Sequence, residues 1–517
     1  MFRNKLKWLP ILILALAGCF ATVNQQAQEI EARPIEPPNS NGDTEARSIE
    51  TPNSNSETEA TPEPLINIPI VSNLPLVTPK GSNRTFYISP DGNDSLGGTS
   101  ANQAWRTFNH AWSILLPGDT LILLDGTYTP GNTGTIVPNV RNGEPGKPIT
   151  IRARNDGKAI IDGQGRSIPV SLGREGNGWS IAKYFVFEGI VAQNSSESVY
   201  FIQGNHNVFR RASGYDANTD GNNHVFWVWG SYNLLEDCVA SGTGRKMILL
   251  FEGEKNTVRR CLADWRQWDG RNYEDDWPWG ENIEIYNANN NIIENSIGNG
   301  NTPRASISLL TQDGDPLDGK SSSGNKILGT MSIRSGMQAD GTPMVWGTTR
   351  PQPTQYSDNV ADVFGWAQYM SGFTFTVGGG AGYDNLWQDI LSWGNARYGL
   401  DGYEAGNARY GNNRINRATV FNNGLNNVHP YWGGIGVGSK ESSLQMYSSI
   451  ENSYIENILT DSGLRTQTGE GARLTNRYVD GVLTDEPLWP WPMEDRVQAE
   501  LGYSVTQLMQ GIIAASP

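Results

Sequence analysis

Four stretches, VYFIQGNHNVFRRA (199–212), VFWVWGSYNLLEDC (225–238), ILLFEGEKNTVRRC (248–261) and IEIYNANNNIIENS (283–296), share one pattern. Each opens with five strand-forming residues, turns at Gly204, Gly230, Gly253 or Ala288, and reaches an Asn three residues later. An apolar residue follows that Asn by two positions and a small one by five. The pattern can be followed through nine copies, at Asn207, Asn233, Asn256, Asn291, Asn325, Asn359, Asn385, Asn413 and, in looser register, Ser448. The intervals are 26, 23, 35, 34, 34, 26, 28 and 35 residues. A fixed strand–corner–strand unit with a variable remainder is the signature of a solenoid. It predicts an all-β fold, a right-handed parallel β-helix with coils about 4.8 Å apart. The corner Asn is expected to adopt the left-handed conformation and bond its stacked neighbours. Phe209, Leu235, Val258 and Ile293 are expected to point inward and stack.

A solenoid grows along its axis, so 517 residues fit one large domain. Net charge is −15, from 39 Lys and Arg against 54 Asp and Glu, which argues against a nucleic-acid partner. The four His, at 110, 206, 224 and 429, lack zinc-ligand spacing. Arg3, Lys5 and Lys7 precede an apolar run, Leu9 to Ala17, and then LAGC at 16–19. That run is too short for a comfortable membrane span. It resembles a bacterial lipoprotein signal (1–18), with lipid placed on Cys19; an ordinary secretory signal with a chance Cys is the alternative. Residues 19–80 are rich in Pro, Glu, Ser, Thr and Asn and read as a disordered spacer. The expectation is an exported monomer, lipid-anchored to a bacterial membrane and facing the periplasm or the exterior.

The β-helix is expected over 81–486. In 104–116, Phe108, Ala111, Trp112 and Leu115 have helical spacing, so a helix should cap the N-terminal mouth. Residues 487–517 begin with PLWPWP, turn helix-like and read as a closing cap. Cys238 and Cys261 occupy the fifth position after the Asn in consecutive coils, so they should touch. Two readings follow: a disulfide, or two members of a small-residue ladder with Ala212, Ser296, Thr330 and Ala418. The ladder is favoured because in-register parallel strands offer poor disulfide geometry.

PGDTLILLDGTY (117–128), GKPITIRARNDGKAIIDG (146–163) and KYFVFEGI (183–190) add a resemblance. Residues 83–192 resemble the N-terminal coils of parallel β-helix polysaccharide lyases, with the chondroitinase B and alginate lyase family nearest and pectate lyase-like proteins similar. The resemblance implies an extracellular polysaccharide as partner and a Lys as base. The chain departs from the pectate lyase-like pattern at TGRKM (243–247), where an acidic cluster would be expected.

Counting back from each Asn aligns Asn223 and His224 with Lys246 and Met247, then with Glu281 and Asn282. Arg245 falls beside Asn222. A β-eliminating lyase needs a base for the C5 proton and cations for the charge growing on the uronate carboxylate. Lys246 is the candidate base, Arg245 the charge stabiliser and His224 a neighbour in the catalytic group. Asn223, Glu281 and the loop residues Trp265, Trp268, Arg271, Trp277 and Trp279 are candidates for holding sugar. Asp216 and Asp220 are the candidate metal ligands, for calcium. The plainer alternative is a solvated Arg245–Lys246 pair with Glu281 as ion partner, and Asp216 and Asp220 as turn residues. A glycoside hydrolase using Asp269, Asp275, Asp276 or Glu281, and a non-catalytic glycan-binding or cell-surface structural protein, are the other two functions.

Overall fold

The computed structural model describes residues 83–138, 141–173, 182–265, 280–300, 305–311, 320–337, 371–377, 381–396, 399–404, 409–423, 435–436, 454–460 and 470–516. The signal, Cys19 and the 19–80 spacer lie outside these residues. Among the described residues no helix is long and apolar enough to cross a membrane.

The fold is a right-handed parallel β-helix, with two long parallel sheets accounting for most of its strands. A central coil gives two short strands to the first sheet, such as Leu234–Glu236 and Val239–Gly242, and one longer strand, such as Lys246–Phe251, to the second. Phe209, Leu235, Val258, Ile293 and Ile327 are successive register partners and are buried in the core.

The Asn corner forms as a ladder. The side-chain carbonyl of Asn233 accepts from the backbone N–H of Asn207 at 2.9 Å, and Asn256 and Asn291 repeat this at 2.9 and 2.8 Å. The left-handed residue is not the Asn, however, but the one before it. His206, Tyr232, Lys255 and Asn290 have φ of +57°, +60°, +54° and +57°. Turning the chain one residue early points the amide inward, where its carbonyl caps a backbone donor that the corner would otherwise leave buried and unpaired. Two rungs are corrected. Asn325 bonds directly to Asn385 at 2.9 Å, so the 60-residue interval holds one coil rather than two. Asn359 itself lies outside the described residues. Further on, Arg414 pairs with Tyr454, five residues from the register that Ser448 requires.

The N-terminal helix spans Phe108–Ile114, and the Thr107 side chain caps it by accepting from His110 N–H. Phe108, Ala111, Trp112 and Leu115 join the core, with Trp112 edge-on to Phe185 at 6.4 Å. Cys238 and Cys261 are buried free thiols in the small-residue ladder, where Cys261 N–H donates to Ser296 Oγ at 3.2 Å.

The C-terminal segment does not close the far end. Its hairpin, Asn476–Val479 with Val482–Pro487, and its helices, Glu494–Leu501 and Val505–Ala514, run along the outside of the first sheet. The cause is an apolar outer row, Val239, Leu262, Ile297, Met331, Leu391, which needs cover. Trp491, Met493, Val497, Leu501, Val505, Met509 and Ile512 supply it. Beside that row runs a buried charge ladder. Arg210 pairs with Glu236 at 2.8 Å, Arg259 with Glu236 at 3.1 Å and with Glu294 at 2.6 Å. Burial alone would raise the Glu236 carboxyl, but Arg210, Arg260 and Arg259 outweigh it and hold it below the usual range. The hairpin closes this ladder through Arg259–Asp480 and the Gly481 N–H donating to Glu294 at 2.8 Å.

Candidate active site

The second sheet leaves its outer face to other side chains. Strands His224–Val228, Lys246–Phe251, Glu281–Tyr286 and Ala305–Thr311 stack in register, with His224 opposite Lys246 opposite Glu281. Phe226, Ile248, Ile283 and Ile307 face the core. Alternation then sends Trp227, Leu249, Glu284 and Ser308 outward, one row along from His224, Lys246 and Glu281. The predicted count of three aligned coils is therefore correct for His224, Lys246 and Glu281.

Lys246 is buried, only 3% exposed. Its ammonium donates to Glu284, lies 3.7 Å from Glu281 Oε2 and sits 5.1 Å from the centre of the Tyr286 ring. Ser308 Oγ donates to the other oxygen of Glu284 at 3.2 Å. Glu284 was absent from the candidates. Its signal was present in IEIYN, where a Glu interrupts an otherwise apolar strand. Arg245 is half-buried on the loop before the strand, with its guanidinium 2.7 Å from Asn222 Oδ1 and its backbone N–H on Asn223 O at 2.7 Å.

His224 is fully buried. Its ring stands edge-on to Trp227 at 4.9 Å, and neither ring nitrogen has a hydrogen-bond partner among the described residues. Burial, then the positive charges of Lys246 and Arg245, push its pKa well below the ordinary value, so the imidazole is neutral at pH 7. The indole N–H of Trp227 is likewise buried and without a partner among the described residues. A buried polar atom left unpaired costs about 1–3 kcal/mol.

The remaining candidates divide. Asn223 is half-exposed and donates to Asp220 O at 2.6 Å. Trp265 is not an exposed sugar platform. It is 1% exposed and belongs to the core, because Gly280 has no side chain to contest the space: a Cβ there would meet the indole at 2.0 Å. Asp216 accepts from Thr243 N–H at 3.2 Å, and Asp220 is exposed in a turn closed by Asn218 Oδ1 on its own N–H at 2.8 Å. Among the described residues no group of three or more His, Cys, Asp and Glu side chains is disposed to hold a metal ion. Asp216 thus ties its loop to the next coil, and Asp220 stands in a turn of its own. Trp268, Asp269, Arg271, Asp275, Asp276, Trp277 and Trp279 lie outside the described residues.

The sequence reading also missed an aromatic patch beside this cluster. Trp227 and Trp229 are stacked with nearly parallel rings, 10° apart with centroids at 5.5 Å, and Phe251 stands edge-on to Trp229 at 5.3 Å. Phe251 meets Tyr286 at 5.2 Å. Trp227, Trp229, Phe251 and Tyr286 are each half-buried. The period-2 alternation of VFWVW put both indoles on one face and was a usable signal.

Residues 86–302 match the family model described as Pel9A-like, right handed beta helix region. That span is a polysaccharide-lyase-like β-helix segment, as the resemblance over residues 83–192 implied. The chain is 31% identical over 161 residues to pectate lyase L of Dickeya dadantii (strain 3937), covering 29% of this chain and 36% of that protein. It is 28% identical over 197 residues to pectate lyase L of Dickeya chrysanthemi, covering 35% and 44%. The matches therefore span less than half the length of these curated relatives. Among solved structures, pectate lyase Pel9A shares 16% identity at a TM-score of 0.40, covering 76% of this chain and 82% of that one. A rhamnogalacturonan lyase shares 16% at a TM-score of 0.40, covering 66% and 74%.

Proposed function

We propose that this protein is a lyase that cleaves a uronate-containing polysaccharide by β-elimination on the outer face of the second sheet. Support comes from the match over residues 86–302, which contains the buried Lys246 cluster and the half-buried Arg245 beside it. In this reading the Arg245 guanidinium meets the uronate carboxylate. Lys246 serves as base after passing one proton to Glu284, which turns the ion pair into a neutral amine and a carboxylic acid. Burial assists that transfer, because a low-dielectric site penalises two charges more than two neutral groups. The amine then takes the C5 proton. The C5–H electrons form the C4–C5 double bond, and the C4–O bond breaks with its electrons leaving on the glycosidic oxygen, which takes a proton from water; Glu284 gives its proton to the hydroxide that remains, restoring the starting charges. Export and a lipid anchor on Cys19 complete the proposal.

The test is absorbance near 235 nm on a panel of uronate polysaccharides, since elimination creates a conjugated double bond. Wild type is expected to produce it, and Lys246→Ala to lose it while still binding the polymer. Unchanged turnover in that variant would remove Lys246 as base. New reducing ends without the absorbance would replace the lyase with a hydrolase. One observation favours a second reading, a glycan-binding protein without turnover: Lys246 is buried between two carboxylates, as a structural ion pair would be. Polymer binding with neither signal would select it. Growth with a labelled fatty acid tests the anchor: label is expected on wild type and not on Cys19→Ala.

A further inference from the structure

The outer face of the second sheet presents three kinds of group together. Trp229 and Phe251 are half-buried aromatic surfaces beside Trp227. Trp227 carries a buried indole N–H and His224 two buried ring nitrogens, all three without a hydrogen-bond partner among the described residues. Glu252 edges the patch, accepting from Trp229 Nε1 at 3.3 Å and pairing with Lys320 at 2.5 Å. Buried polar atoms are nearly always partnered in folded proteins, and those that are not call for an explanation.

We infer that Trp227, Trp229, Phe251 and His224 form a subsite for one pyranose ring of a bound oligosaccharide, with Glu252 at its edge. A neutral imidazole offers one donor and one acceptor, and the indole a further donor. A sugar hydroxyl can accept from the indole and donate to the imidazole at once. An ammonium ion cannot accept from the indole, and a sulfate has no hydroxyl proton for the imidazole acceptor. The aromatic faces suit the apolar C–H face of a pyranose, while Glu252 and Lys320 suit its equatorial hydroxyls. The opposite sheet offers no equivalent, since the chain's own C-terminal helices cover it. The subsite rests on the glycan reading above, but not on elimination.

The probes are digalacturonate and a set of neutral disaccharides, titrated by calorimetry and by tryptophan fluorescence. Wild type should bind at least one with quenching of the tryptophan signal. Trp227→Phe keeps the ring and removes the donor, and should weaken that binding about fivefold, the worth of one hydrogen bond. Trp229→Ala removes a stacking face and should weaken it about tenfold or more. Tyr383→Ala, at an exposed aromatic outside this face, should bind as wild type. Should Trp229→Ala fail to fold, Trp227→Phe alone decides. Wild-type affinity in Trp227→Phe, or no binding of any probe by wild type, overturns the subsite. Binding of a neutral disaccharide with no 235 nm product from any uronate polymer overturns the lyase and keeps the subsite.

Discussion

The two outer faces of this solenoid handle repeated side chains in opposite ways. Outside the first sheet the charges alternate from coil to coil, Glu188, Arg210, Glu236, Arg259, Glu294, so Arg210, Glu236 and Arg259 each meet opposite partners above and below. The chain then lays its own C-terminal segment over that face. Outside the second sheet the charges do not alternate. One ammonium serves two glutamates, a buried imidazole meets no hydrogen-bond partner among the described residues, and tryptophans stand half-buried. A ladder that satisfies itself builds the fold. A row left incomplete is where a ligand would finish the work.

Removing the cover tests this contrast most severely. Ending the chain after residue 469 deletes Trp491, Met493, Val497, Leu501, Val505, Met509 and Ile512 and uncovers the row they bury. At roughly 1.5–3 kcal/mol per side chain the seven sum to roughly 10–20 kcal/mol as an upper bound, as large as the whole stability of a domain. The truncated protein should lack a cooperative thermal transition and bind a hydrophobic dye. A melting curve like that of the full chain would show that the segment is an appendage.

Single charge deletions sharpen the contrast. Arg259→Ala takes the arginine from Glu294 and one of three from Glu236, and Lys246→Ala removes the ammonium shared by Glu281 and Glu284. Each should cost about 3–5 kcal/mol in denaturant unfolding, because a buried ion pair is broken from one side. Only the second should also abolish turnover of a confirmed polymer beyond what its stability loss explains. Equal loss of turnover in both, measured well below their melting temperatures, would erase the functional difference between the faces.

The fold was largely legible because the repeat fixes strand and corner lengths. Leu235, two residues after Asn233, is buried as read, and Leu235→Ala should cost about 2–5 kcal/mol by thermal melting. An exposed-like cost under 0.5 kcal/mol would contradict its core position. The C-terminal placement was misread, although a clue stood one residue past the small-residue ladder. Val239, Leu262, Ile297 and Met331 are apolar where alternation turns them outward, and an apolar outer row requires a cover. The site was legible only as alignment. Counting coils put Lys246 opposite Glu281, but Glu284 entered through side-chain reach, which register does not supply. Trp265 was misread because its room depends on a glycine 15 residues away, a contact that only folding brings together.

The smallest effect concerns His224. Its folded pKa lies well below the ordinary 6.5, through burial first and then Lys246 and Arg245. The unfolded chain therefore takes up the proton before the folded protein does. By linkage, the stability associated with the neutral ring is fully present above pH 6.5 and falls as pH drops toward the folded value. The depressed Glu236 carboxyl titrates below that range. Between pH 6.5 and 5.5 wild type should thus lose roughly 1 kcal/mol in chemical denaturation. His224→Gln, which cannot titrate, should show a flatter slope over the same range. Adding a disaccharide that binds should steepen the wild-type slope if a hydroxyl donates to the neutral ring, because protonation then also removes an acceptor. An identical slope in His224→Gln would mean that this imidazole does not set the acid response of the second face.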